Sequence, residues 1–232
     1  MARAARLRGI PAHIVMPLNS AKVKIRAVEG YGAKIIFCEP NDASRDAAGA
    51  DVLNKTGATL IHSFENENVM AGQGTAALEL LEEISDLDLV MCPIGGGGLL
   101  SGTAVAAKSM RPHMKVVAAE PANADDAAQS FRAGKRLVTE KKFTIGDGLR
   151  TNVGELTFPI IQRYVDDIVT VSEEAIISAM RRVWETMKII IEPSSAVPYA
   201  AIAEQKIDIA GKRVGIIITG GNVDLDSLPW LA

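Results

Sequence analysis

The sequence predicts an α/β protein whose open parallel sheets are covered by helices, and two observations carry that prediction. Short, β-rich apolar runs alternate with helical patterns along the whole chain, the arrangement that gives a parallel sheet covered on both faces. The chain of 232 residues is 48% hydrophobic and 23% charged, an ordinary globular balance with enough length for one large domain or one and a half.

Taken in order, ARAARLRG at the start has a helical pattern with Ala2, Ala5 and Leu7 as candidate buried positions and no N-cap before it, so the chain reads as beginning inside a helix. AHIVMP (12–17) reads as a strand. Residues 20–30 read as a helix with Ser20 as N-cap and Gly32 near its end. AKIIFCE (33–39) is a strand, 44–57 a helix with a glycine stop, and TLIHSF (59–64) a strand. The polar, turn-rich SFENENVMAGQG puts a domain boundary near 62–72. Residues 73–86 are a helix, DLVMCPI (88–94) a buried strand, Gly97 to Met110 a helix and KVVAAE (115–120) a strand. Residues 121–157 are irregular and polar, with helical content near 124–134 and the glycine-rich IGDGLR. Then come a helix (158–165), a strand (167–172), a long helix (173–188), a helix from about Ser195, and a last strand, RVGIIITGG (213–221).

Composition excludes several function classes. The net charge of −3 argues against nucleic-acid or membrane-surface binding, both of which need a basic patch. Aromatics at 4% leave little for base stacking. No apolar run approaches the ~20 residues that span a bilayer, and MARAARLRG has no apolar core of a signal peptide. Cys38 and Cys92 sit in apolar runs and read as buried thiols in a reducing compartment, which points to the cytoplasm.

The strongest local signal is PIGGGGLLSG (93–102), where a buried strand ends, four glycines follow and a helix begins. Consecutive glycine N–H groups can curl around an anion and the helix N-terminus adds favourable partial charge, which suits a phosphate monoester. Two other phosphate motifs fail. A G-x-G-x-x-G fingerprint from Gly95 or Gly96 meets Leu100 or Ser101 at its last glycine, and no lysine follows for a Walker loop. Glu120, ending the next strand, keeps a dinucleotide reading open.

Three weaker signals accompany it. TGGNVD (219–224) follows an apolar strand at the edge where ligands of open α/β sheets bind, although alone it reads as a glycine turn. AAEPANADD (118–126) gathers Glu120, Asp125 and Asp126, hard oxygen ligands for magnesium or calcium or, more simply, an acidic helix cap. IIIEPSSAVP (189–198) places Glu192 at the end of an apolar run, which alone reads as a solvated end.

Together and in this order these segments resemble the fold type II pyridoxal-phosphate enzymes, a tryptophan synthase beta-like fold, and within it serine racemase, threonine dehydratase and threo-3-hydroxyaspartate dehydratase. GIPAHIVMP, EGYGAKIIFCEP, AGQGTAALELL, VVAAEPANADDAAQS and IGDGLR add to the likeness. The resemblance implies a pyridoxal 5'-phosphate enzyme, an ammonia-lyase or racemase acting on a small hydroxyamino acid. Gly95, Gly96, Gly97, Gly98 and Leu99 would hold the cofactor phosphate. Thr219, beside Gly220, would face the pyridine nitrogen, and Glu192 would lie near the cofactor. Arg45 would approach the substrate carboxylate as a planar fork suited to it, and Asp147 the substrate side chain. Glu120, the carbonyl of Ala124 and Asp126 resemble a divalent-metal site for Mg2+ or Ca2+, and Tyr31 and Lys188 resemble positions near an ATP effector. Phe64 stands where some serine racemases have asparagine, which leans to the dehydratases. A homodimer is expected of the full-length family.

The resemblance also implies what is missing. The family's Schiff-base lysine lies in a Ser-Phe-Lys-x-Arg-Gly segment and its second base in a Ser-Ser-Gly-Asn-His-Gly loop, and neither segment is in this sequence. Lys22, Lys55 and Lys188 read as surface residues, so no catalytic lysine is assigned. The chain is therefore expected to be an N-terminally truncated relative. Residues 1–65 would be the remnant of an incomplete small domain, and 66–232 the large cofactor-binding domain. The alternative is a non-catalytic cofactor-binding remnant or the partner subunit of a split enzyme.

Overall fold

The computed structural model describes residues 1–140 and 143–231. It divides into two compact units, one of Met1–Ile61 with Asn222–Ala232 and the other of His62–Gly221.

The smaller unit begins with α1 (Ala2–Leu7). Ala2 is buried and Ala5 partly so, but Leu7 is 77% exposed, so the expected apolar stripe ends a turn early. Strands β1 (His13–Pro17) and β2 (Lys34–Cys38) pair in parallel from His13↔Lys34 to Pro17↔Cys38, with α2 (Lys22–Gly30) as the crossover. Ser20 is not the cap of α2. Its hydroxyl donates to the Pro17 carbonyl at 2.6 Å, and Ala21 takes the cap position without a side-chain bond. Helix α3 (Asp42–Thr56) is capped by Asn41, whose Oδ1 accepts the Ser44 N–H at 2.8 Å, and ends on left-handed Gly57.

The larger unit is a four-stranded parallel sheet in the order β5-β4-β3-β6, formed by β3 (Leu89–Pro93), β4 (Lys115–Pro121), β5 (Asp167–Val171) and β6 (Val214–Ile216). All five residues of β3 are buried, as a central strand covered on both faces requires. Side chains alternate between the faces. Val90, Cys92, Val116 and Ala118 join one core with Leu100, Ala104 and Ala107 of α5 (Gly98–Met110), Ala77 and Leu81 of α4 (Glu67–Glu83), and Phe158 of α7 (Thr157–Tyr164). Helix α9 (Pro193–Ala203) lies against β3, β4 and β5, with α8 (Glu173–Met187) packed on it. Helix α6 (Asp126–Ala133) packs beside β5.

Two expected strands differ. TLIHSF forms no strand: His62 Nδ1 accepts the N–H groups of Phe64 (3.4 Å) and Glu65 (2.9 Å), so the backbone donors are taken up in a local turn. The last strand is three residues rather than nine, because the N–H groups of Thr219 and Gly220 bond to a serine hydroxyl instead of a neighbouring strand. Helix α4 starts six residues earlier than its pattern suggests, because Asn66 caps it by accepting the Val69 N–H. Both cysteines are free and buried.

Candidate functional site

Because all four strands of the larger sheet run parallel, their carboxyl ends share one edge. The glycine loop lies there, between β3 and α5. Gly97 caps α5 with φ 92°, a conformation that L side chains rarely adopt, and a Cβ on it would come within 2.8 Å of Thr157 Oγ1 and Ile161 Cδ1. A Cβ on Gly96 would sit inside the Phe64 ring, and one on Gly98 would be 3.0 Å from Phe64 Cβ. The Gly96 carbonyl is turned into the protein, where it accepts the Thr157 hydroxyl at 2.7 Å and the Gly154 N–H at 3.1 Å. The first-turn N–H groups of α5 have no partner within the helix, so the loop presents donors and keeps this acceptor satisfied inside. That is the electrostatics of an anion cradle.

The segment 147–151 lines one side of the loop. A Cβ on Gly95 would be 3.0 Å from Leu149 Cα and 3.1 Å from Thr151 Oγ1. Asp147 opens this segment on a short 3-10 turn, Asp147–Leu149, and Gly148 N–H donates to Ser194 Oγ at 3.1 Å. Ser194 lies in the first turn of α9, and its neighbour Ser195 reaches the turn after β6. Ser195 Oγ lies 2.7 Å from Thr219 Oγ1, accepts the N–H groups of Gly220 (2.8 Å) and Thr219 (3.1 Å), and donates to the Gly220 carbonyl at 2.8 Å. Glu192 caps α9 beside this turn: its N–H donates to the Gly220 carbonyl at 2.9 Å, and a Cβ on Gly220 would be 3.1 Å from Glu192 Oε1. Gly95–Gly98, Leu99, Asp147, Glu192, Thr219 and Gly220 thus belong to one unit and are linked through Gly148, Ser194 and Ser195.

Glu120 and Asp126, each 1% exposed, hold backbone. Glu120 Oε1 accepts the Ala128 N–H at 2.6 Å and Asp126 Oδ2 the Val153 N–H at 2.7 Å. Ala124, buried, ends the 3-10 turn Ala122–Ala124 between them. Among the described residues no group of three or more His, Cys, Asp or Glu side chains is placed to hold a metal. Arg45 lies in the other unit, in the first turn of α3, close enough to Cys38 to pull its thiol pKa down; burial, the larger effect, raises it. Tyr31 caps the end of α2 in that unit. Lys188 ends α8 in a left-handed conformation with its ammonium on the Glu185 carbonyl at 2.5 Å. Lys22, Lys55 and Lys188 are all exposed. Burial pushes the Cys92 thiol, in mid-strand, up to about 12, with the Thr103 hydroxyl pulling slightly the other way.

Sequence reasoning missed Thr157, Gly154, Gly148, Ser194 and Ser195. The serine pair directly after Glu-Pro was a usable signal. Thr157 had none, being 61 residues from the carbonyl that it holds.

Comparisons with known proteins identify the family. The family described as "Pyridoxal-phosphate dependent enzyme" matches residues 1–220. A beta-hydroxyaspartate dehydratase of Paracoccus denitrificans is 45% identical over 98% of this chain and 72% of its own length. A structure of maize serine racemase superposes with a TM-score of 0.93 at 45% identity, over 99% of this chain and 71% of that one. A serine racemase from Dictyostelium discoideum does so with a TM-score of 0.87 at 47% identity, over 97% and 72%.

Proposed function

Since the chain belongs to the pyridoxal-phosphate-dependent enzyme family and has its tryptophan synthase beta-like fold, we propose that it carries the cofactor- and substrate-binding machinery of a hydroxyamino-acid ammonia-lyase or racemase, acting on serine, threonine or 3-hydroxyaspartate. The observation that carries the reading is the strand–GGGG–helix cradle, with Thr219 at the same sheet edge. The residues fit the cofactor: Gly96, Gly97 and Gly98 are packed so closely on Phe64, Thr157 and Ile161 that only glycine backbone forms the loop, and the loop offers N–H donors to a phosphate.

When bound, pyridoxal phosphate supplies an electron sink for charge developing at the amino acid's α-carbon. Gly95 to Gly98 and Leu99 hold its phosphate. Thr219 presents a hydroxyl to the ring nitrogen, which does not force protonation there as a carboxylate would, and Glu192 borders the same turn. Arg45 orients the substrate carboxylate and Asp147 its side chain. Glu120, the Ala124 carbonyl and Asp126 are a hard-oxygen set suited to Mg2+ or Ca2+. The proposal includes a homodimer and an ATP effector near Tyr31 and Lys188, which sedimentation and ATP titration test. Two buried free thiols suit the cytoplasm, and no described helix is long and apolar enough to cross a membrane.

A second reading, a non-catalytic cofactor-binding chain or the partner of a split enzyme, is favoured by one observation: the sequence has no Ser-Phe-Lys-x-Arg-Gly segment. A base must sit within bonding distance of the reacting carbon, and positioning is worth about 7–11 kcal/mol of barrier, which an exposed lysine on a helix does not supply. These 232 residues alone are therefore expected to bind pyridoxal phosphate and to turn over serine and threonine negligibly. The test is cofactor titration, borohydride reduction with mass mapping of any pyridoxyl-lysine, and assay of pyruvate, 2-oxobutanoate and D-serine. A single stoichiometrically labelled lysine with turnover overturns the second reading and names the base; absence of cofactor binding overturns the first.

A further inference from the structure

We infer that Thr157 is a positioning residue for the anion cradle: its buried hydroxyl sets which way the Gly96–Gly97 peptide faces. The inference deepens the phosphate reading of the glycine loop and rests on it. Thr157 is fully buried, and its Oγ1 donates to the Gly96 carbonyl at 2.7 Å while accepting the Gly154 N–H at 3.0 Å. Gly154 N–H also reaches the same carbonyl at 3.1 Å. Two donors therefore hold one carbonyl inward. The peptide is planar and trans, so its N–H points opposite to its C=O. With the Gly96 carbonyl pulled in, the Gly97 N–H is turned outward, into the cradle, at the positive end of α5.

Glycine at 96 and 97 makes this peptide easy to rotate, so something outside the loop must hold it. Thr157 is itself fixed. Its carbonyl accepts the Ser101 hydroxyl at 3.4 Å, and α7, which it begins, packs against α5. The preceding segment is pinned where Glu65 Oε2 accepts the Leu156 N–H at 2.9 Å and the Glu65 carboxylate covers Gly154. The hydroxyl and the carbonyl it holds are 61 residues apart, so their contact exists only in the folded unit. Its effect is on the direction of one N–H group, which an anion reads and a neutral ring does not.

The test compares the parent chain with Thr157→Val and Thr157→Ser, titrating inorganic phosphate, pyridoxal phosphate and pyridoxal, which lacks the phosphate. Loss of a neutral hydrogen bond predicts that Thr157→Val binds both phosphate ligands about tenfold more weakly. Pyridoxal binding should stay within about twofold, and Thr157→Ser, which keeps the hydroxyl, should bind like the parent. Equal phosphate affinity in Thr157→Val overturns the inference while leaving the phosphate reading intact. A parent that binds neither phosphate nor pyridoxal phosphate overturns both. If Thr157→Val fails to fold, glycine-labelled parent chain is titrated with phosphate by NMR: the Gly97 amide should shift, and a Gly97 amide that stays put while Gly95 or Gly98 moves overturns the inference.

Discussion

Ser195 shows how much one hydroxyl can organise. It has one proton, yet it accepts two backbone N–H groups and meets both the Thr219 hydroxyl and the Gly220 carbonyl. A hydroxyl has one proton and two lone pairs, so with both N–H groups accepted the single Ser195 proton goes either to the Gly220 carbonyl or to the Thr219 hydroxyl. Ser195→Ala removes the acceptor from the 219–220 turn and is expected to cost about 1–3 kcal/mol, the penalty for orphaned donors, read as a lowered denaturant midpoint with an unchanged slope. Cys92 predicts a pH effect. Its thiol titrates near 9.0 when unfolded and near 12 when folded, so its contribution is fully present below pH 9. Above that, the unfolded chain releases a proton that the native one keeps, and stability falls by about 1.4 kcal/mol per pH unit until roughly pH 12. Equilibrium unfolding from pH 8 to 11 should show that decline, reduced in Cys92→Ala. Neither residue's role was legible in sequence: the spacing from Ser195 to Thr219 has no period, and Cys92 disclosed only that it was apolar.

At the scale of elements, the crossing of α4 and α5 decides where the cradle sits. The two helices meet at Gly74 and Gly102. A Cβ on Gly102 would strike the Met70 carbonyl and lie 2.5 Å from Gly74 N, both backbone atoms that cannot rotate away. Gly102→Ala should therefore destabilise by about 1–3 kcal/mol or more and displace the α5 N-terminus, weakening phosphate binding. Gly72→Ala is the control, because nothing lies within 4 Å of its Cβ. Replacing a helical glycine there should be neutral or raise stability by up to about 1 kcal/mol. Thermal melts of both variants check the pair. The glycine-rich stretch containing Gly72 and Gly74 reads in sequence as a boundary; it forms a helix because Asn66 caps it and tertiary packing rewards the missing side chain.

For the molecule as a whole, ligand linkage is the readout. If the buried carboxylates of Glu120 and Asp126 hold a divalent cation, magnesium at about a hundredfold its Kd adds about 2.7 kcal/mol and chelator removes it. The check is the melting midpoint with magnesium and with chelator, in the parent and in Asp126→Ala, where the difference should vanish. No difference in the parent would leave both carboxylates as anchors for the Ala128 and Val153 amides. By itself the sequence determined the α/β class, the order of strands and helices apart from TLIHSF, the buried β3 and the glycine loop, because hydrophobic period, caps and glycine runs are local properties of the chain. Tertiary structure alone decided that β6 is short and that Thr157, Ser194 and Ser195 build the site. Each of those outcomes depends on which distant group captures a backbone N–H or C=O, and that competition is settled only when the folded chain brings the groups together.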